Sequence, residues 1–135
     1  SVPPIPGLEE AGYLTSTTAM ELDQLPSSLI VIGAGYIALE QGQLFRHLGS
    51  EVTLLQRGAQ LLPEYEPEIS EQVGKMLERL GTRVLTGTHV QRVERTATGR
   101  RLVVLRDGQE EVLEAEQHRQ AVARLRGFEA KNRRV

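Results

Sequence analysis

The stretch "LIVIGAGYIALE", from Leu29 to Glu40, decides how this chain folds. Four apolar residues lead into Gly-Ala-Gly, and a sequence that favours a helix begins immediately afterwards. Glycine is unfavourable inside a strand or a helix, so two glycines at this junction indicate a tight turn. An uninterrupted apolar run is typical of a strand buried on both faces of a parallel sheet. The stretch therefore predicts a buried strand, a tight turn and a helix.

The pattern continues as a βαβ unit. Apolar residues recur at helical spacing over 36–48, and Gly49 is placed to end that helix. The apolar, β-branched "EVTLLQ" then predicts a second strand. A second helix is expected to begin at Pro67 and end at Gly81, before a third strand at "RVLTG".

The pattern changes after the third strand. "THVQRVERT", "RRLVVLRD" and "EEVLEAE" are strand-like and closely spaced, with turn residues at Thr98-Gly99 and Asp107-Gly108 between them. These features predict an antiparallel β-ribbon. The expected fold is thus α/β, a Rossmann-like three-layer domain with a parallel sheet and an added antiparallel ribbon.

Three regions are expected along the chain. Residues 1–25 are interpreted as a connector and a short helix: the prolines of "SVPPIPGLEEAG" predict an extended segment, and Thr15 or Ser16 could cap the helix that follows. Residues 26–117 form the main domain. Residues 118–135 are interpreted as a divergent basic tail, either a poorly packed helix or a frayed end.

Composition narrows the functional classes. The 135 residues suffice for one domain and contain no cysteine, and the three histidines are too dispersed to suggest a metal site. No apolar run approaches the roughly 18–20 residues of a membrane span. The net charge is −2, and basic residues are concentrated only after residue 117. We therefore expect a cytoplasmic protein that binds neither nucleic acid nor membrane.

The glycine turn carries the main functional hypothesis. Gly33, Gly35 and Ala38 fit the pattern G-x-G-x-x-G/A between a buried strand and a helix. The first glycine would permit the turn, the second would let a pyrophosphate approach the backbone, and Ala38 would keep the helix close to the strand. Amides at the helix amino terminus would hold the phosphates. The alternative is a tight turn that binds nothing.

The end of the second strand bears on which dinucleotide would bind. An acid there would hold the ribose hydroxyls of NADH, but this strand ends in Gln56 and Arg57. Arg57 could pair with a 2′-phosphate, which favours NADPH. Alternatively, Arg57 is a solvated loop residue and Gln56 binds a ribose hydroxyl, so that NADH is accepted.

Two residues of the predicted helix complete the candidate site. Glu40 could accept a hydrogen bond from the nicotinamide side of a dinucleotide, or could be a first-turn acid that stabilises the helix dipole. Tyr36 could cover the nicotinamide pocket, or could be a packing aromatic. The expected cofactor-binding set comprises Gly33, Ala34, Gly35, Tyr36, Ile37, Glu40, Gln56 and Arg57, with no catalytic residue and no metal ligand.

A family resemblance supports this interpretation. "PPIPGL", "YLTSTTAMELDQLPSSLIVIGAGYIALEQGQLFRHLGSEVTLLQRGAQLLPEYEPEISE", "VLTGTHVQRVER" and "LEAEQ" resemble the NAD(P)H-binding domain of the FAD-dependent pyridine nucleotide-disulfide oxidoreductases. Within that family the chain is most similar to the mercuric reductases, with dihydrolipoamide dehydrogenase and glutathione reductase as wider relatives. The resemblance extends from residue 1 to about residue 117.

The resemblance implies roles for individual residues. The glycines would hold the pyrophosphate, the residue matching Glu40 would lie near the nicotinamide and flavin, and Tyr36 would act as a lid. NADPH-using members often carry a second arginine where this chain has Pro63. The family also has an apolar strand after "LEAEQ", which the sequence from His118 does not match. We therefore expect either one strand missing from the sheet or a tail that lies elsewhere.

The resemblance also implies a larger parent protein. FAD, a redox-active cysteine pair, a flavin domain and a dimer-interface domain would belong to that parent. Because the 135 residues include no cysteine, no reduction of Hg(II) is expected from them alone. Two alternatives are a stand-alone regulatory or complementing module that binds a dinucleotide, and a structural fragment that binds none.

Overall fold

A computed structural model of the chain describes residues 4–33, 35–97, 99–115 and 120–124. The helices of this part are α1 (Leu8–Ala11), α2 (Ser16–Ala19), α3 (Tyr36–Leu48) and α4 (Pro67–Arg79). The strands are β1 (Ser28–Ile32), β2 (Glu51–Leu55), β3 (Arg83–Leu85), β4 (Thr88–Arg95), β5 (Arg100–Arg106), β6 (Gln109–Ala115) and β7 (Gln120–Arg124). The βαβ unit and both main helices are confirmed.

A parallel sheet forms the middle of the domain, with the strand order β3-β2-β1-β7. Ser28 of β1 lies beside Glu51 of β2, and the pairing continues in register to Ile32 and Leu55. All four strands run in the same direction, so their carboxyl ends meet at one edge of the sheet. That edge carries the turns that follow β1 and β2.

Both faces of the parallel sheet are covered. Leu29 and Val31 of β1 pack into a buried cluster with α3 and α4, while Ile30 and Ile32 pack against a second cluster built largely from β4 and β5. Successive side chains of a strand point to opposite faces, which explains why β1 is apolar from Leu29 to Ile32. The structure therefore has three layers, and the predicted α/β fold is confirmed.

The third layer is the antiparallel sheet β4-β5-β6. The turn between β5 and β6 has positive φ angles of 52° at Asp107 and 77° at Gly108. Two adjacent positive φ angles are characteristic of a tight hairpin turn, and Asp-Gly is a favoured sequence for it. The predicted ribbon is confirmed.

Helix α3 lies close to the parallel sheet because its inner face carries small residues. Ala38 is fully buried. A Cβ added to Gly42 would lie 3.6 Å from Leu54 Cδ1 and 3.7 Å from Val52 Cγ1. Larger side chains at these two positions would push the helix away from β1 and β2. The helix therefore begins close above the carboxyl end of β1.

The amino-terminal segment differs from the prediction of an extended connector. Helix α1 begins directly after Gly7, beyond the last proline of the segment, and its Leu8 and Ala11 are buried against the antiparallel sheet. Arg100 Nε and Arg95 Nη2 donate to the Ala11 carbonyl oxygen at 2.9 and 3.1 Å. Proline excludes a helix only up to Pro6, so the residues after it were free to form one.

The short helix α2 begins as expected at its amino end. Thr15 is the cap, because its Oγ1 accepts the Thr18 amide at 3.2 Å while the Thr18 hydroxyl oxygen accepts the Thr15 amide at 2.8 Å. This reciprocal arrangement is a capping box. Of the two predicted caps, Thr15 is therefore the one used.

The interpretation of residues 118–135 as a helix or a frayed end is wrong for β7. Residues 120–124 form a parallel strand beside β1, with Ser28 opposite Gln120 and Ile32 opposite Arg124. Ala123 is buried in the cluster on the helix side of the sheet. The edge of β1 offers unpaired backbone groups, and pairing them outweighs the helical preference of alanine. The sheet thus has the strand that the sequence suggested was missing or displaced.

The close approach of Gly7 to β4 generates a stability prediction. Gly7 has a φ of +81°, and a Cβ there would overlap the Val93 carbonyl oxygen. Gly87 has a φ of +59° but open space around the Cβ position. Gly87→Ala should lower the free energy of unfolding by about 1–2 kcal/mol, the cost of the left-handed conformation alone.

Gly7→Ala should lower the free energy of unfolding by more than about 3 kcal/mol, because the steric overlap adds to the same backbone cost. Denaturant unfolding of the two variants measures the difference. Equal losses in Gly7→Ala and Gly87→Ala would contradict the contact between the amino-terminal segment and β4.

Candidate functional site

The glycine turn lies at the carboxyl end of β1. Gly33 has a φ of +116°, which an L-residue with a side chain rarely adopts, and its amide donates to the Leu55 carbonyl oxygen at 2.8 Å. Because β1 and β2 are neighbours in register, Gly33 and Gln56 each directly follow a paired strand residue. Adjacent strands lie about 4.8 Å apart, so the turn and the Gln56–Arg57 segment are side by side.

Gly35 is a glycine for a different reason. It is the amino-terminal cap of α3, with ordinary extended angles of φ −79° and ψ −177°. A Cβ added there would meet no atom of the described residues within 4 Å, other than its own chain neighbours. Neither the backbone angles of Gly35 nor the packing of the described residues requires glycine at this position. The residue keeps open the space directly in front of the helix amino terminus.

The amino terminus of α3 has the electrostatic character of an anion site. Gly35 has no side chain with which to cap the first amides of the helix, and the first turn contains no acid. The aligned peptide dipoles place partial positive charge at this end. Ile37 lies half-buried in this first turn. Ala34, which was also expected in the site, lies outside the described residues.

Tyr36 and Glu40 interact along one face of α3. The Glu40 side chain stands one helical turn from Tyr36 on the same face of α3. Hydrogen bonding to Glu40, followed by the charge of Glu40, raises the pKa of Tyr36 above its ordinary value, with smaller contributions from partial desolvation and from Tyr65. The two side chains therefore form a pair in which Tyr36 is the donor at neutral pH.

The structure excludes one alternative for each residue of this pair. Glu40 is the fifth residue of α3, so it is not a first-turn acid, and the helix dipole acts mainly on the first turn. Tyr36 is 62% exposed, so it is not a packing aromatic. Both side chains stand in solvent near the glycine turn.

Gln56 and Arg57 occupy the end of β2. The Gln56 side chain is half-buried: its Oε1 accepts the Arg57 amide at 3.1 Å, and its Nε2 donates to the Gln60 carbonyl oxygen at 3.2 Å. Arg57 is exposed. Gln56 therefore organises the loop, and Arg57 carries a positive charge at the edge of the sheet beside the glycine turn.

Three further residues of this region were not predicted from the sequence. Gln60, Tyr65 and Ser70 are joined by hydrogen bonds from Gln60 Nε2 to the Tyr65 carbonyl oxygen at 3.1 Å and to Ser70 Oγ at 3.2 Å. Tyr65 also makes a small contribution to the raised pKa of Tyr36. The Gln60 side chain therefore joins the loop after β2 to the first turn of α4.

The described part of the chain has neither a metal-binding cluster nor a helix that could cross a membrane. It contains no group of three or more His, Asp or Glu side chains arranged to hold a metal ion. Over the same residues, no helix combines the length and apolar character that a bilayer crossing requires.

The architecture is that of an α/β protein with a parallel sheet and a separate antiparallel sheet, and comparisons identify its family. The family model of the pyridine nucleotide-disulphide oxidoreductases matches residues 1–128 of this chain. The match extends beyond residue 117, where the sequence resemblance was expected to end. Mercuric reductase of Lysinibacillus sphaericus is 51% identical over 117 residues, covering 87% of this chain and 21% of the relative. Mercuric reductase of Staphylococcus aureus is 46% identical over 132 residues, covering 98% of this chain and 24% of the relative.

Solved structures agree with this assignment. The HOCl-induced flavoprotein disulfide reductase RclA of Escherichia coli matches with a TM-score of 0.74 and 26% identity. The match covers 95% of this chain and 28% of that chain. The chain belongs to the pyridine nucleotide-disulphide oxidoreductase family, and within that family it resembles mercuric reductases, as expected. It spans between a fifth and a quarter of the length of these curated relatives.

The Tyr36–Glu40 pair predicts a measurable pKa change. Glu40→Gln removes the negative charge that disfavours tyrosinate, so the pKa of Tyr36 should fall toward its ordinary value of about 10. The chain has three tyrosines and no tryptophan, so ultraviolet absorbance at alkaline pH reports tyrosine ionisation. Subtracting the Tyr36→Phe titration isolates Tyr36.

The raised pKa of Tyr36 also determines how the stability of the fold should change with pH. A raised pKa means that any stability from the Tyr36–Glu40 bond is present below the pKa of unfolded tyrosine, near 10, and is lost as the pH rises through the folded value. An unchanged Tyr36 titration in Glu40→Gln would show that the pair does not form.

Proposed function

We propose that this chain is the nicotinamide dinucleotide-binding domain of a mercuric reductase-like flavoprotein oxidoreductase. The observation that carries the proposal is the open space at Gly35, in front of the uncapped amino terminus of α3. Glycine there is needed for nothing within the described chain. A pyrophosphate that must approach the backbone closely would require it.

The residues of the turn fit a pyrophosphate. Gly33 makes the sharp change of direction, so that α3 begins directly above the end of β1. Gly35 leaves the approach free of a side chain, and the first amides of α3 would donate to phosphate oxygens. The exposed Arg57 adds positive charge beside the same turn. These features support an anionic ligand with two ends, placed across the carboxyl edge of the sheet.

Tyr36 and Glu40 would serve the nicotinamide end. Tyr36 is solvent-exposed at the start of α3, one turn from Glu40, so it could cover a flat ring and shield it from water. Displacing Tyr36 from Glu40 would release the Glu40 carboxylate to accept a hydrogen bond from the ligand. When bound, the dinucleotide supplies a hydride, while the protein groups orient and shield it.

The remaining parts of the reaction are assigned to the parent protein. This chain matches less than a quarter of each mercuric reductase compared above, and the remaining length is consistent with separate flavin and dimer-interface domains. We propose that FAD and the thiols that receive electrons belong to those parts, and that this domain docks against the flavin domain. The final electron acceptor would be Hg(II) or a disulfide.

Gly35 provides the first test. In Gly35→Ala the new Cβ would stand where the pyrophosphate approaches, so the affinity of the chain for NADPH and NADH should fall at least about tenfold with little loss of stability. Gly74→Ala is the matched control, because Gly74 lies in α4 and its added Cβ would make only an ordinary 3.6 Å contact with Leu61 Cδ1. Fluorescence titration measures both affinities.

Two results would contradict the proposal. One is a wild-type chain that binds neither dinucleotide at millimolar concentration. The other is Gly35→Ala binding as tightly as Gly74→Ala, since the pyrophosphate would then lie away from the turn.

Arg57 provides a separate test of which dinucleotide is preferred. We propose NADPH, because an exposed guanidinium beside the turn can pair with a 2′-phosphate. Arg57→Glu should weaken NADPH binding by about tenfold or more and NADH binding by less, since only NADPH carries the repelled phosphate.

Arg83→Glu makes the same change of charge at the opposite end of the sheet and should affect neither ligand specifically. If Arg57→Glu and Arg83→Glu lowered NADPH affinity equally, only the net charge would matter and Arg57 would not contact the phosphate.

A further inference from the structure

We infer that Gln60 is a positioning residue that makes the chain prefer NADPH to NADH. It would do so by fixing the loop that carries Arg57. The inference rests on the proposed function and extends it to a residue that does not itself touch the dinucleotide.

A chain of hydrogen bonds connects Arg57 to Gln60. The Arg57 amide donates to Gln56 Oε1 at 3.1 Å, and Gln56 Nε2 donates to the Gln60 carbonyl oxygen at 3.2 Å. The Gln56 side chain thus spans the loop from inside and sets the direction in which the backbone leaves β2 at Arg57. Its own orientation depends on where the Gln60 backbone lies.

The Gln60 side chain ties that backbone to α4. Its Nε2 lies 3.1 Å from the Tyr65 carbonyl oxygen, 3.3 Å from the Leu62 carbonyl oxygen and 3.2 Å from Ser70 Oγ. Ser70, which is 2% exposed, also donates from Oγ to the Leu62 carbonyl oxygen at 3.2 Å. One half-buried amide therefore joins both halves of the loop to the first turns of the helix that follows it.

The loop also contains an unfavourable backbone conformation. Leu62 has a φ of +49°, which is uncommon for a residue with a side chain. Such conformations persist where surrounding contacts determine the backbone more strongly than its own preference. The neighbouring Leu61 is buried in the cluster on the helix side of the sheet, and the Leu62 carbonyl oxygen accepts from both Gln60 and Ser70. These contacts supply that constraint.

Preorganisation explains why hydrogen bonds that fix this loop would increase the preference for NADPH over NADH. A guanidinium on a loose loop must lose backbone freedom before it can pair with a phosphate, and this loss opposes binding. NADPH would gain from a fixed Arg57, whereas NADH has no 2′-phosphate to contact it. Loosening the loop should therefore lower NADPH affinity more than NADH affinity.

The experiment removes the Gln60 donors in two ways. Gln60→Glu keeps the shape but replaces the amide with a carboxylate facing carbonyl oxygens, and Gln60→Met is nearly isosteric and uncharged. Gln72→Glu on the exposed side of α4 is the control for the same chemical change. The affinities of the full 135-residue chain for NADPH and NADH are measured for each variant, and thermal unfolding shows whether each is folded.

Both Gln60 variants should lose about tenfold in NADPH affinity but less than about threefold in NADH affinity, while Gln72→Glu keeps the wild-type ratio. Amide hydrogen exchange gives a second readout without ligand. The Arg57 amide should exchange faster in Gln60→Met, while amides within β1 and β2 stay protected. If Gln60→Glu does not fold, Gln60→Met carries both measurements.

The possible results distinguish a failure of the proposed role of Gln60 from a failure of the proposed dinucleotide site. Equal losses for both dinucleotides, an unchanged NADPH-to-NADH ratio, or unchanged exchange at Arg57 would overturn the role of Gln60 while leaving the dinucleotide site intact. A wild-type chain that binds neither dinucleotide would overturn the proposed function and this inference with it.

Discussion

The pairing of β1 with β2 is the interaction on which the rest of the structure depends. It sets Ile32 beside Leu55, and the Gly33 amide extends the pairing by one bond to the Leu55 carbonyl oxygen. A slip of one residue would exchange the side chains that face the helices with those that face the antiparallel sheet. It would also break the bond from the Gly33 amide to the Leu55 carbonyl oxygen, which joins the glycine turn to the end of β2.

At the carboxyl edge of the parallel sheet, positive and negative groups occupy separate places. The amino terminus of α3 has no capping side chain and no acid in its first turn. The nearest acid of the helix is Glu40, one turn further along, where it raises the pKa of Tyr36. Arg57 stands exposed on the neighbouring strand end. Partial positive charge is therefore concentrated at the turn, and the Glu40 carboxylate stands one helical turn away from it.

Much of the fold could be predicted because local and long-range preferences agree. The run from Leu29 to Ile32, the small residues of α3 and the Asp107-Gly108 turn each have one favourable structure. The wrong prediction falls where local and long-range preferences conflict. Strand β7 contains alanines, which favour a helix, but it pairs with the edge of β1. The neighbouring positions of the predicted site residues follow from the rule that parallel strands end at one edge. Gln60 could not be found this way, because its partners depend on how one loop folds.

The central claim is that a dinucleotide lies across the carboxyl edge of the parallel sheet, with its pyrophosphate on the glycine turn. Nuclear magnetic resonance of the isotopically labelled chain during titration with NADPH tests this most directly. Saturable shifts are expected at the amides of Gly35, Tyr36 and Arg57, with the amides of β5 and β6 unchanged. No shift with about 1 mM NADPH, a concentration that reveals even weak binding, or shifts confined to the antiparallel sheet, would contradict it.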